Sequence, residues 1–126
     1  MCIARLKYME VQPNQDLLNK FLIYYRVLIS RGLTQVRNAC LCHGIYGNIE
    51  VIRRIMQMDI LSEKDKNQCP NLESFECSLF ENRNDLYLGF CRDFKTDIFM
   101  TGLSGIFYSI LREDVTSLPS ILFLEV

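Results

Sequence analysis

The segment from Asp16 to Leu33, DLLNKFLIYYRVLISRGL, constrains this chain more than any other. Leu17, Phe21, Tyr24 and Leu28 recur at helical spacing, and Leu18, Leu22, Tyr25 and Ile29 form a second stripe beside them. One buried face cannot use that much apolar surface, so the helix needs cover on two sides. In 126 residues that cover comes from the rest of one compact domain, from a second copy or from a partner protein. The spacing predicts a helix from about residue 15 to 31, started at Pro13–Asn14 and ended by Gly32. Leu18, Leu22, Tyr25 and Ile29 are the candidate interface of a self-associating protein, a homodimer or other homo-oligomer.

Around this helix the patterns alternate between helix and strand. Cys2, Ala4, Leu6 and Tyr8 alternate with Arg5 and Lys7, which predicts a first strand over Met1–Val11. Thr34 is placed to cap a second helix reaching Gly44, and Asn48 a third reaching Met58, giving a helical hairpin. The polar run Ser62 to Asn71 is a loop. Phe75, Cys77 and Leu79, then Leu86, Leu88 and Phe90, flank the turn Asn82–Asp85 and predict a β-hairpin. Thr96 and Asp97 open a last helix, and Ser120 to Val126 ends the chain as an interior or intersubunit strand. The expected fold is therefore α+β, a single domain over residues 1–126 with an antiparallel sheet packed on helices. Its β-α-β-β-α-β order matches ferredoxin-like folds with an inserted helical pair. The alternative is an all-α bundle, in which the short apolar runs are buried helix segments.

Tyr46 to Gln57, YGNIEVIRRIMQ, resembles the second-helix half of an ankyrin repeat. Residues 39–45 lack the Thr-Pro-Leu-His turn and no copy recurs near 33 residues away, so the resemblance implies an amphipathic helix and no solenoid.

Composition narrows the function classes. Hydrophobic residues make up 49% of the chain and charged residues 23%, which suits a folded domain. A net charge of −1 creates no general attraction to nucleic acid or anionic lipid. The uncharged run Ile98–Leu111 is shorter than the roughly 20 apolar residues of a membrane span. The first residues lack the apolar core of a secretory signal, and Asn-x-Ser/Thr does not occur. An intracellular protein, cytoplasmic or nuclear, with its six cysteines reduced is the expectation.

Three groupings carry candidate chemistry. Cys40 and His43 stand three apart, and Cys69, Cys77 or Cys91 could complete a zinc site as in a zinc-stabilised adaptor. On a helix, however, the sulfurs of Cys40 and Cys42 would point about 200° apart. Arg37, Arg53 and Arg54, with Tyr8 and Tyr46 as stacking neighbours, form the candidate nucleic-acid-binding face. Phosphate-loop patterns are absent and His43 is the only histidine, so no catalytic motif is complete. The reading that follows is a non-enzymatic protein-binding module without a cofactor, with nucleic-acid binding and zinc as alternatives.

Overall fold

Two stretches expected as strands, around residues 2–11 and 75–79, are α-helical. The computed structural model describes residues 2–12, 14–82, 86, 99–115 and 117–123. Among them run α1 (Cys2–Val11), α2 (Gln15–Val27), α3 (Ile45–Gln57), α4 (Glu63–Lys66), α5 (Leu72–Glu81) and α6 (Leu103–Asp114). A π-helical turn, Leu28–Gly32, prolongs α2, and Ile121–Phe123 is a single 3-10 turn. No strand occurs among the described residues, so the α+β sheet and the ferredoxin-like order are replaced by the all-α alternative.

The corrections share one physical cause. Strand propensity is a weak preference that packing overrides, and the inward residues repeat at helical spacing. Leu6 and Met9, three apart, are buried in α1 while Tyr8 is exposed; a strand would have put Leu6 and Tyr8 on one face. In α5 the Asn71 carboxamide accepts the Ser74 N–H at 2.8 Å and starts a helix where a strand was expected. Phe75 and Leu79 pack on the core while Cys77 is exposed, which breaks the alternation. Only Leu86 of the second hairpin strand is described, and it packs on the core; residues 87–91, like Thr96 and Asp97, lie outside the described residues. At the end of the chain Phe123 donates its N–H to the Ser120 carbonyl at 3.2 Å, closing a turn in place of the predicted strand. Residues 124–126 lie outside the described set.

The expected helical hairpin is also absent. Thr34 donates its hydroxyl to the Ser30 carbonyl at 2.7 Å, so it bonds backward and caps nothing ahead. Residues 38–43 consequently form an irregular loop, and α3 starts at Ile45. Asn48 does not cap it; its carboxamide donates to the Gly32 carbonyl at 2.9 Å and ties α3 to the π turn.

The core gathers around α3. Ile45, Ile49, Ile52 and Ile55 are at most 2% exposed and meet Leu6 and Met9 of α1, Phe21 and Tyr25 of α2, Ile106 of α6 and Phe123. Each such side chain contributes about 1.5–3 kcal/mol by leaving water. No helix of the described residues is long and apolar enough to cross a membrane.

Candidate functional site

Two helix starts with the same construction position the site. Gly44 precedes α3 with φ −108° and ψ −166°, and Gly102 precedes α6 with φ −128° and ψ −164°. Three residues on, a β-carbon at Gly47 would lie 2.1 Å from the Leu41 carbonyl oxygen, and one at Gly105 would lie 1.9 Å from that of Phe99. In both places the carbonyl belongs to the residue six before the glycine. Glycine is required by close backbone approach, since any side chain would collide with it. The two Gly-x-x-Gly sequences, 44–47 and 102–105, were the available signal for this duplication. Cys42 N–H donates to the Met100 carbonyl at 3.0 Å and joins the two starts.

The first start carries the chemistry. Ile45 N–H donates to the Asn38 carbonyl at 2.7 Å and Gly44 N–H to the Cys40 carbonyl at 3.0 Å, folding residues 38–44 into a tight loop. The loop removes the objection that a helix would have raised. Cys40 Sγ and Cys42 Sγ are 3.6 Å apart, Cys42 Sγ is 2.6 Å from His43 Nδ1, and all three donors lie within 4.8 Å of one another. Cys40 is buried, whereas Cys42 and His43 face solvent, so the group opens outward. Burial, and then the neighbouring Cys40, push the Cys42 thiol up to about 11.

Asn38 orients the imidazole. Its Oδ1 accepts the Cys40 N–H at 2.9 Å, which turns Nδ2 toward His43 Nε2 at 3.2 Å. Nε2 therefore accepts, and the ring proton sits on Nδ1, facing Cys42. For Nδ1 to bind a metal, that proton would have to move to Nε2 and the Asn38 amide would have to give way, because a metal-binding histidine donates its far ring N–H. The sulfur separation fits a metal, because tetrahedral zinc with Zn–S of about 2.3 Å places two sulfurs about 3.8 Å apart, whereas the Cys42–His43 contact at 2.6 Å would have to open by about 1 Å to share it.

The other expected members stand elsewhere. Cys69 lies beside Tyr25, its thiol raised by burial, and Cys77 is exposed on α5. Neither joins Cys40 and His43 in the donor group, and Cys91 lies outside the described residues. The candidate interface divides: Tyr25 is fully buried, while Leu18, Leu22 and Ile29 are partly buried against the core. The exposed apolar residues of α2 are Ile23, Tyr24 and Val27.

The arginines do not gather into one face. Arg37 is exposed, and Arg54 lies over the Phe123 ring with 5.8 Å to its centroid. Arg53 turns inward to ion pairs with Glu50 and Glu113 and donates to the Glu76 carboxyl. Glu50, expected on the outer side of α3, is 3% exposed. It accepts from Ser109 Oγ at 2.8 Å and from the Arg112 guanidinium. Burial, and then the hydrogen bond with Glu113, push the Glu76 carboxyl up to about 8, so it holds a proton at neutral pH. Among the described residues its Oε1 is buried without a hydrogen-bond partner.

An all-helical domain that presents two thiols and an imidazole at the start of its central helix defines a class by fold and donor set. The chain belongs to the lanthionine synthetase C-like family, whose sequence profile matches residues 1–125. Curated proteins and solved structures give no match to it.

Proposed function

We propose that this chain is a metal-binding domain whose Cys40, Cys42 and His43 hold zinc and leave one position for a thiol. The observation that carries the reading is the donor group itself, three ligand atoms of zinc-preferring type within 4.8 Å. Among the described residues the group offers three protein ligands, the number with which a zinc centre receives a further molecule. The name of the family supports the same chemistry, since lanthionine is a thioether, formed when a thiol sulfur adds to a dehydrated residue. Bound in this loop, zinc would hold an incoming thiol as its thiolate at neutral pH. The chain's own residues supply two thiolates and one imidazole, and the exposure of Cys42 and His43 admits the ligand.

Elemental analysis of the purified full chain tests this. One zinc per chain is expected, lost in Cys42→Ala and His43→Ala. Cobalt in place of zinc should show a thiolate charge-transfer band that shifts when a small thiol is added. Metal-free protein that stays metal-free in excess zinc overturns the reading.

A second reading, a protein-binding or self-associating module, is favoured by a separate feature. Phe107 and Leu111 on α6, with Val115 just past its end, are 40–60% exposed and leave an apolar stripe. Sedimentation equilibrium at tens of micromolar checks it, and a strict monomer removes the self-associating form.

A further inference from the structure

We propose that Cys40 and Cys42 form a reversible disulfide that excludes metal from the donor group, making this loop a redox-modification site for small-molecule disulfides. The bond is argued from the loop geometry; its effect on metal rests on the zinc reading above. The sulfurs are 3.6 Å apart, and a bonded pair needs about 2.05 Å, so closure asks for a movement of about 1.5 Å. Side-chain rotation supplies it, because both backbones are anchored: Cys40 N–H on the Asn38 carboxamide and Cys42 N–H on the Met100 carbonyl. A bridge across one intervening residue between fixed backbones is strained, and strain makes it easily reduced, as reversibility requires. Cys69 and Cys77 lie outside this cluster.

Exposure fixes the order of events. Cys42 meets solvent, whereas Cys40 is fully buried and has Cys42 sulfur beside it. Cys42, once its thiol has given up its proton to solvent base, attacks one sulfur of the small disulfide, whose S–S bond breaks and releases one small thiol. The Cys40 thiolate then attacks the Cys42 sulfur of the mixed disulfide, and the second small thiol leaves. Two cysteines are oxidised, one small disulfide is reduced to two thiols, and the two protons of the cysteine thiols end on them. The bridge occupies both sulfurs, so a metal would keep only His43 in the group. Conversely, bound metal protects the pair from oxidation.

The test uses the full chain, chelator-stripped or zinc-loaded, equilibrated with hydroxyethyl disulfide and 2-mercaptoethanol, then alkylated and digested with trypsin. Cleavage after Arg37 and Arg53 isolates a peptide whose only cysteines are Cys40 and Cys42. Stripped protein should yield it lighter by two hydrogens and unalkylated; zinc-loaded protein should yield it alkylated twice. Oxidised protein should lose zinc uptake and regain it with dithiothreitol. Cys40→Ser should trap the mixed disulfide on Cys42, and Cys42→Ser should leave Cys40 unreactive. The proposal is overturned if stripped protein is alkylated twice at every ratio, or stops at the mixed disulfide on Cys42. A bridge in protein that takes up no zinc supports the disulfide and overturns the metal reading; zinc uptake with no bridge does the reverse.

Discussion

The Cys–His loop and the buried carboxylate cluster differ in where their partners come from. The loop draws Asn38, Cys40, Cys42 and His43 from one short stretch, whereas Glu50 finds Ser109 and Arg112 59 and 62 residues away. The loop can therefore change its chemistry without disturbing distant elements. The cluster binds α3, α5 and α6 together, and its charges are costly to leave alone because they are buried. Nearness in sequence goes with function on the surface, and distance in sequence with cohesion of the interior.

Removing the central carboxylate should have the largest effect. Glu50→Ala removes the carboxylate that pairs with Arg112 and Arg53 and accepts from Ser109, and is expected to cost about 3–5 kcal/mol, read as a lower urea midpoint with an unchanged slope. Metal uptake by the folded fraction should stay as in the parent, and a loss of both would break the contrast between the regions.

Next comes pH. Glu76 is raised from 4.5 to about 8 in the folded state, so the folded chain keeps a proton that the unfolded chain has released. Its contribution is full below the unfolded value and falls as pH rises from 4.5 toward 8, by on the order of a few kcal/mol. Glu76→Gln should flatten this slope in urea titrations at several pH values; an unaltered slope would show that other groups set it.

Gly105→Ala is expected to cost about 1–3 kcal/mol, since the new methyl meets the Phe99 carbonyl. Gly32→Ala is the control, because its nearest neighbour is the movable Asn48 carboxamide; it should shift stability by less than about 1 kcal/mol. Equal losses in thermal melts would deny the special status of the paired helix starts.

Asn38→Ala should cost only about 1 kcal/mol of stability, for the Cys40 N–H it leaves without its side-chain acceptor. It should leave metal affinity undiminished, because the amide that must give way when Nδ1 takes a metal is gone, measured by competition with a chelator. A stability loss as large as that of Glu50→Ala would reverse the comparison.

The same contrast explains what could be read from the sequence. The long α2 was legible because its stripes recur over four turns, although its last turn widens into a π turn that periodicity does not register. Cys40 and His43 were legible as donors by residue type. Their arrangement was not, because the 200° divergence of Cys40 and Cys42 presumed a helix that Thr34 does not start. Glu50 and Arg53 looked like the solvated face of α3, and only the packing of α5 and α6 turns that face inward. Short alternating runs at residues 2–8 and 75–79 were ambiguous in kind, since either period fits so few residues.

The paired glycine seats separate inheritance of shape from inheritance of reactivity. At Gly47 and Gly105 it is main-chain oxygen that occupies the room of a methyl group, so the bend before each helix is specified by atoms every residue possesses. Cys40, Cys42 and His43 supply none of that specification through their side chains. A descendant of this chain could trade its thiols for carboxylates or for inert residues and keep the bend, but it could not trade the glycines and keep either. The seat is a mould for a reactive loop, and the glycine spacing ahead of α6 repeats it.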